Sequence, residues 1–393
     1  MGNLPASEWL NTLLALLQAC QLGLLSLLHK TGLVGDSHGQ PAWPWAHRVS
    51  GENLLIDLGQ ARQLAVSLGL LALAAVLLLA ASLLLWRRHR RSAGGTALVA
   101  AAALLFAPWP QASVVLVSAY PTSFHRSPTG FSALSVEQGG RLYAQQCVAC
   151  HGADGRGQGP LAEAQPVWPP DLAGPLLWRR ADGDVFWRIR EGLRDRHGRQ
   201  TMAGFADRLS DADTWAVMDY LRAQAAGQSL RRAGRWERPV AVPDFEVRCT
   251  GRPARAVSDW RQRHQRLRIV ADGGGAVPLE DPRLTTVLVR AAPAASDEGV
   301  DCVADAPGAW QALALVAGAA PQALAGTQLI ADRDGWLRAR GEPGKGAWSD
   351  DDLLCRTETA KPSDRPASAD GLGALIARMD AEPVRFVKGG FVH

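Results

Sequence analysis

The sequence predicts a multidomain chain with N-terminal transmembrane helices, an all-α middle domain and an α/β C-terminal domain. Three observations carry this. Three long runs without a charged residue, Trp9–Leu28, Gln63–Trp86 and Thr96–Ser118, crowd the first 120 residues. A single Cys147-Val148-Ala149-Cys150-His151 pentapeptide sits between two helical patterns. From about Val242, short β-branched runs alternate with a helical segment and a tight turn. The averages of 47% apolar and 20% charged residues over 393 positions hide this segregation. The boundaries that follow are 1–120 for the anchor, 130–228 for the middle domain, 238–360 for the α/β domain and 361–393 for a linker and tail.

Each apolar run reaches the roughly 20 residues that a helix needs to cross a ~30 Å hydrocarbon core. The run at 63–86 is the clearest, since Leu68–Leu85 is nearly pure Leu, Ala and Val. It ends in Trp86 followed by Arg87-Arg88-His89-Arg90-Arg91, an aromatic interface anchor beside a cytoplasmic positive cluster. The run at 9–28 lacks the basic start and small-x-small cleavage site of a secretory leader, so it is expected to be a retained span. The run at 96–118 carries Pro108 and Pro110, which a bilayer tolerates better than water does. A net charge of +4 is small for this length and gives no reason to invoke nucleic acid. The dense arginines from Arg231 to Arg268 read first as a solvated face or linker, and second as a docking surface for an acidic partner or anionic headgroups.

C-x-x-C-H is the attachment signature of c-type haem, because two thiols at that spacing can each add to a vinyl group while the next imidazole lies under the iron. With 6 Cys and 9 His in the chain, chance supplies roughly 0.002 such pentapeptides. Structural zinc would need a second ligand pair at matching spacing, and the sequence has none. A thioredoxin-type dithiol would follow a buried strand, whereas the residues before Cys147 have helical period. In that helix, capped by Ser135, positions Gly139, Leu142 and Tyr143 share a face. A second helix, Ser210–Gln224, opens with a short-armed capping box, Ser210 to Asp213, and puts Trp215, Met218 and Leu221 on one side, with Tyr220 beside them.

From about Ser135 to Ala225 the chain resembles a class I c-type cytochrome, here membrane-anchored and carrying one haem. The resemblance implies haem c bonded to Cys147 and Cys150, His151 as proximal ligand, and crossing of the first helix by the last. A carrier's iron prefers six ligands in both oxidation states, and Met202, just before the last helix, stands where the family places its distal methionine. His197 in the same loop is the competitor. Ala203 replaces the proline that often follows the methionine in the family. Met1 initiates, Met218 faces the helix pair and Met379 lies in the tail. The glycines at 152, 155, 157 and 159 suit a chain wrapped closely around one haem edge. Trp168, Pro169, Pro170, Trp178, Arg179, Arg180 and Trp187 are available to wall the haem. The family attaches haem outside the cytoplasm, which implies a bacterial inner membrane protein with its haem domain in the periplasm. The chain must then cross between Arg91 and Cys147, with 29–60 as an outer loop.

From Val242-Pro243-Asp244-Phe245 onward the chain loosely resembles thioredoxin-like domains. Strands are expected at Leu267–Val270 and Thr286–Val289, a helix near Trp310–Val316, and a hairpin with arms Thr327–Ala331 and Gly335–Arg340 around Asp332-Arg333-Asp334-Gly335. Where the family has its C-x-x-C, this chain has Ala271-Asp272-Gly273-Gly274-Gly275, so dithiol exchange is absent and the domain is structural or partner-binding. Cys249, Cys302 and Cys355 allow one disulfide and a free thiol, with the pairing open, or three buried thiols. Cys20 is expected to pack within the first span. Residues 361–370 read as a linker, and 371–393 as a short amphipathic helix with an extended end.

The leading function is a membrane-tethered carrier of single electrons, an electron-transfer protein and not an enzyme, between unidentified redox partners. The alternatives are an accessory, assembly or haem-sensing protein whose last domain binds a client, and an electron-transfer subunit of a larger oxidoreductase.

Overall fold

The computed structural model describes residues 6–50, 58–274, 279–292, 301–344, 347–356 and 370–385. Two compact units emerge, one made chiefly of the chain up to Pro121 and the other from Thr122 onward.

In the first unit, α1 spans Ala6–Lys30, and a small hairpin of β1 (Asp36–Ser37) and β2 (Gln40–Pro41) leads to β3 (His47–Val49). Then come α2 (Leu58–Trp86), α3 (Arg90–Leu105), the single turn α4 (Ala112–Val115) and β4 (Leu116–Ser118). The first two helices, of 25 and 29 residues, are long and apolar enough to cross a bilayer. The third expected span, 96–118, is not one helix. Its helical part begins earlier, at Arg90, and stops at Leu105 after 16 residues, about 24 Å at 1.5 Å per residue. Pro108 and Pro110 lack the N–H groups that would continue the ladder, and the chain runs on without regular structure to Gln111. It nevertheless travels back along the whole of α2, because the Gln111 N–H donates to Gln60 Oε1 at 2.8 Å, at the opposite end of α2 from Trp86. There β4 pairs antiparallel with β3. Gln21 of α1 closes the edge of this ribbon, accepting from the Val49 N–H at 2.9 Å and donating to the Val49 carbonyl at 3.0 Å.

The second unit begins with a helical region. Its elements are α5 (Ala133–Gln146), α6 (Val148–His151), α7 (Leu176–Arg179), α8 (Asp182–Glu191), the ribbon β5 (Leu193–Arg194) and β6 (Gln200–Met202), and α9 (Asp211–Ala233). The cap of α5 is Ser132, which accepts from the Ser135 N–H; Ser135 lies inside the helix, and its hydroxyl donates to Asp219. The capping box of Ser210 and Asp213 forms as its spacing predicts. α9 runs past Gln224 to Gly234, whose φ of 66° ends it in the left-handed conformation.

The remainder is a mixed seven-stranded sheet in the order β13-β12-β9-β10-β11-β7-β8. In chain order these are β7 (Glu246–Cys249), β8 (Arg255–Ala256), α10 (Val257–Gln262), β9 (Leu267–Ala271), β10 (Thr285–Arg290), β11 (Cys302–Asp305), α11 (Pro307–Val316), β12 (Gln328–Ala331), β13 (Leu337–Gly341) and α12 (Gly371–Ala381). β9, β10 and β11 are parallel, whereas β7 and the β12–β13 hairpin join antiparallel. Cys249 and Cys302 face each other in register across β7 and β11 and form a disulfide, while Cys355 is a buried free thiol.

The expected boundary near 228–238 does not separate two cores. Val136 of α5 and Ala223, Ala226 and Leu230 of α9 belong to the same buried cluster as Val287, Leu313 and Leu329 of the sheet domain. Gly227 is needed here, since a methyl group on it would overlap the Leu315 carbonyl oxygen. The Trp236 indole N–H donates to the Val316 carbonyl at 3.0 Å, and Asp244 pairs its backbone with Phe131 and Ala133. The last segment is also more than a tail. α12 buries Leu375, Ile376 and Met379 against Leu284, Ile330 and Ala339 on the sheet. Arg338, fully buried, donates to the carbonyls of Cys355, Met379 and Glu382, fastening that helix. Of the expected linker at 361–370 only Asp370, the N-cap of α12, is described, and of the expected extended end at 383–393 residues 386–393 lie outside the described residues.

Candidate haem site

α5 ends at Gln146, and Cys147 begins the next turn of chain, so that the Cys150 and His151 N–H groups both point back to the Cys147 carbonyl, at 3.2 and 2.9 Å. This single turn holds Cys147, Cys150 and His151 together, with both thiols unbridged. Gly152, with φ 76°, then turns the chain sharply.

The loop that follows is stitched under the turn. Gly157 and Gly159 donate to the His151 and Cys150 carbonyls at 2.8 and 3.1 Å, and Leu161 donates to Ala149 at 2.7 Å. Two glycines are demanded by contact. A methyl group on Gly159 would press on the Val148 and Ala149 carbonyls, and one on Gly157 would overlap the Pro169 carbonyl oxygen. Two residues hold this loop to the helix pair, Tyr143, which helical spacing places on the inner face, and Gln224, which it does not mark: the Tyr143 hydroxyl donates to the Gly152 carbonyl at 2.7 Å, and Gln224 Nε2 donates to Ala153 at 2.7 Å. The only sequence signal for Gln224 is its position on α9.

Met202 is the last residue of β6 and pairs in register with Leu193. Behind it, Gly192 and Gly204 meet so closely that a side chain on Gly192 would stand 2.6 Å from the Gly204 nitrogen. Met202, Cys147, Val148, Leu172 and Leu177 pack around one buried cluster that contains Tyr143, Phe186, Trp215, Met218 and Leu221. His197 is placed differently. It lies exposed in the turn between β5 and β6, where Asp195 accepts from its N–H at 2.8 Å and its Nε2 accepts from Arg196. Of the candidate walls, Trp178 is buried and Trp168 is 55% exposed.

Burial sets the electrostatics. It pushes the Cys147 thiol up to about 11, with Cys150 adding to the effect, so the sulfur is neutral at pH 7. It also holds the His151 imidazole below its ordinary pKa, the neighbouring Pro170 carbonyl pulling the other way. His151 Nδ1 is buried and has no partner of full hydrogen-bond geometry. A neutral imidazole is the form that ligates a metal. Two free thiols on one turn, a neutral imidazole beside them and a thioether in the same apolar cluster are the donor set of a covalent haem with one nitrogen and one sulfur axial ligand, and these residues fit that group.

A model of the family described as cytochrome c oxidase, cbb3-type, subunit III, matches residues 135–221. Cytochrome c550 of Pseudomonas aeruginosa is 34% identical over 103 residues, 25% of this chain and 63% of that protein. A solved structure, the reducing HAO-like protein complex of Kuenenia stuttgartiensis, aligns with 32% of this chain and 59% of its own at 23% identity and a TM-score of 0.22, too low to carry an argument. The chain thus spans less than two thirds of either relative. A helix pair in which Gly139 of α5 meets the Ala216 backbone of α9, a C-x-x-C-H turn and a family match over the same stretch agree: residues 135–221 are a cytochrome c domain.

Proposed function

We propose that the protein is a membrane-tethered monohaem c-type cytochrome that carries single electrons on the periplasmic side of the bacterial inner membrane. The observation that carries this is the placement of Cys147, Cys150 and His151 on one turn, with Met202 in the apolar cluster that Cys147 also joins. Haem bound there supplies reversible one-electron chemistry. The chain's own residues do the rest: Cys147 and Cys150 fix the group through thioethers, His151 and Met202 ligate the iron, and the packed shell excludes water.

The anchor geometry supports the assigned side. α2 and the return through α3 and residues 106–111 connect the Arg87–Arg91 cluster at one end with the β3–β4 ribbon at the other. Basic residues favour the cytoplasm, which supports a periplasmic side for the ribbon and the chain leaving β4. A thioredoxin-like reading of the sheet domain is supported by the strand order β13-β12-β9-β10, but no cysteine lies among residues 272–284 between β9 and β10. The domain serves here as structure or as a partner surface.

A second reading, an electron-transfer subunit of a larger oxidoreductase, is favoured by the name of the matched family. Denaturing gels test the first assignment. Wild type should show a haem-stained band, and Cys147→Ala/Cys150→Ala should not; a stained band in the double variant would sink the site. Purification in mild detergent separates the readings, since a subunit brings its complex with it.

A further inference from the structure

A cavity of about 240 Å³ lies between the cytochrome region and the sheet domain, and none of Cys147, Cys150, His151 or Met202 lines it. Trp178 of α7, Ala225 and Ala226 on the back of α9, and Val240 and Trp336 from the sheet side make its walls largely apolar. A cavity of ~150 Å³ already holds benzene, so this one takes a single aromatic ring with small substituents.

Its polar wall narrows the choice of ligand. Arg222 Nη2 meets Asp182 Oδ2 at 2.7 Å, each side chain keeping 29% of its surface uncovered, and Nη1 lies 3.3 Å from Asp219. Asp219 is fully buried, with hydroxyls of Ser135 and Thr129 donating to it. Two carboxylates therefore face one guanidinium, and Glu237 and Arg238 line another wall, where Arg238 donates to the Glu237 backbone carbonyl. A carboxylate ligand would add a third negative charge there. An ammonium would compete with Arg222 for Asp182. A neutral hydroxyl does neither, because it can donate to Asp182 and accept from Arg222 at once.

We propose that this cavity is a binding site for a small neutral phenol, its ring against Trp178 and Trp336 and its hydroxyl on the Asp182–Arg222 pair. The inference uses none of Cys147, Cys150, His151 and Met202, and it gives Trp178, a candidate haem wall by sequence, a place in this cavity instead.

Calorimetric titration of the full-length ferrous protein in detergent tests it, with 4-methylphenol as probe and p-xylene, 4-methylbenzoate and 4-methylbenzylamine as comparisons. The expected result is saturable one-to-one binding of 4-methylphenol, at least tenfold tighter than any comparison. Ala226→Phe, which fills the space, should abolish it, and Asp182→Ala should weaken it about tenfold, to the level of p-xylene. No saturable binding, equal binding of the benzoate, or wild-type affinity in Ala226→Phe would overturn the site. If Ala226→Phe does not fold, as judged by haem yield, Asp182→Ala decides: unchanged affinity for 4-methylphenol overturns the proposal.

Discussion

Gly139 of α5 and Ala216 of α9 touch backbone to backbone: a methyl group added to Gly139 would overlap the Ala216 carbonyl oxygen and stand 2.9 Å from Tyr220 Cβ. The two helices that hold the C-x-x-C-H turn therefore cross at a distance only glycine permits. Gly139→Val should destabilise the protein by about 3 kcal/mol, the upper part of the usual range for overpacking. Gly140→Ala is the control, since its added carbon would meet only the Tyr220 ring, at 3.1 Å, and a ring can swing aside. Urea unfolding followed by haem absorbance should separate the two; equal costs would show that the crossing has slack.

Met202→Ala should keep the haem attached and remove the charge-transfer band at the red edge of the visible spectrum that thioether-ligated ferric haem gives. His197→Ala should leave that band in place, because His197 sits exposed at the ribbon's turn with its Nε2 accepting from Arg196. A band that survives Met202→Ala would move the distal ligand elsewhere.

The thiol inventory makes a sharp count. With Cys249 bonded to Cys302 and two cysteines taken by haem, alkylation of the denatured, unreduced protein should label Cys20 and Cys355 and nothing else. Replacing both Cys249 and Cys302 by serine reopens a loop with a sequence separation of 53, worth about 4 kcal/mol by loop entropy. Labelled peptides containing Cys249 or Cys302 would refute the pairing.

Arg283 ties the N-terminus of α12 to the sheet domain by pairing with both Asp281 and Asp370. Its hydrogen bonds hold Asp281 down to about 2, and hold Asp370 below the ordinary carboxylate range as well. Depressed folded pKa values mean that the unfolded chain binds protons first, so this stabilisation is complete above about pH 4 and is lost as pH falls toward 2. The gap in melting temperature between wild type and Arg283→Met should therefore hold constant from pH 7 to about 4 and shrink below. A gap unchanged at pH 2.5 would show that the pairs contribute nothing.

What the sequence made legible was whatever local chemistry or period dictates. C-x-x-C-H, the Ser210 capping box and the turn at Asp332–Gly335 each form from residues within reach of one another. The third apolar run misled because composition alone does not register how completely Pro108 and Pro110 deprive a ladder of donors. Met379 was unreadable for another reason. Its partners Leu284, Ile330 and Ala339 lie far back in the chain, and α12 has no meaning until the sheet exists to receive it. The cysteine pairing was open for the same cause, since only the register of β7 against β11 selects Cys302 over Cys355.

The shared core imposes an order on biogenesis. As the chain is made, the back of α9, with Ala223, Ala226 and Leu230, emerges before β9, β10, β11 and α11 that will cover it. The cytochrome helices and the C-x-x-C-H turn are complete in the chain while one of their faces is still bare, because the elements that cover it are made later. A nascent chain halted after α9 would carry the C-x-x-C-H turn on one side and, on the other, an apolar stripe of Ala223, Ala226 and Leu230 with nothing yet to cover it.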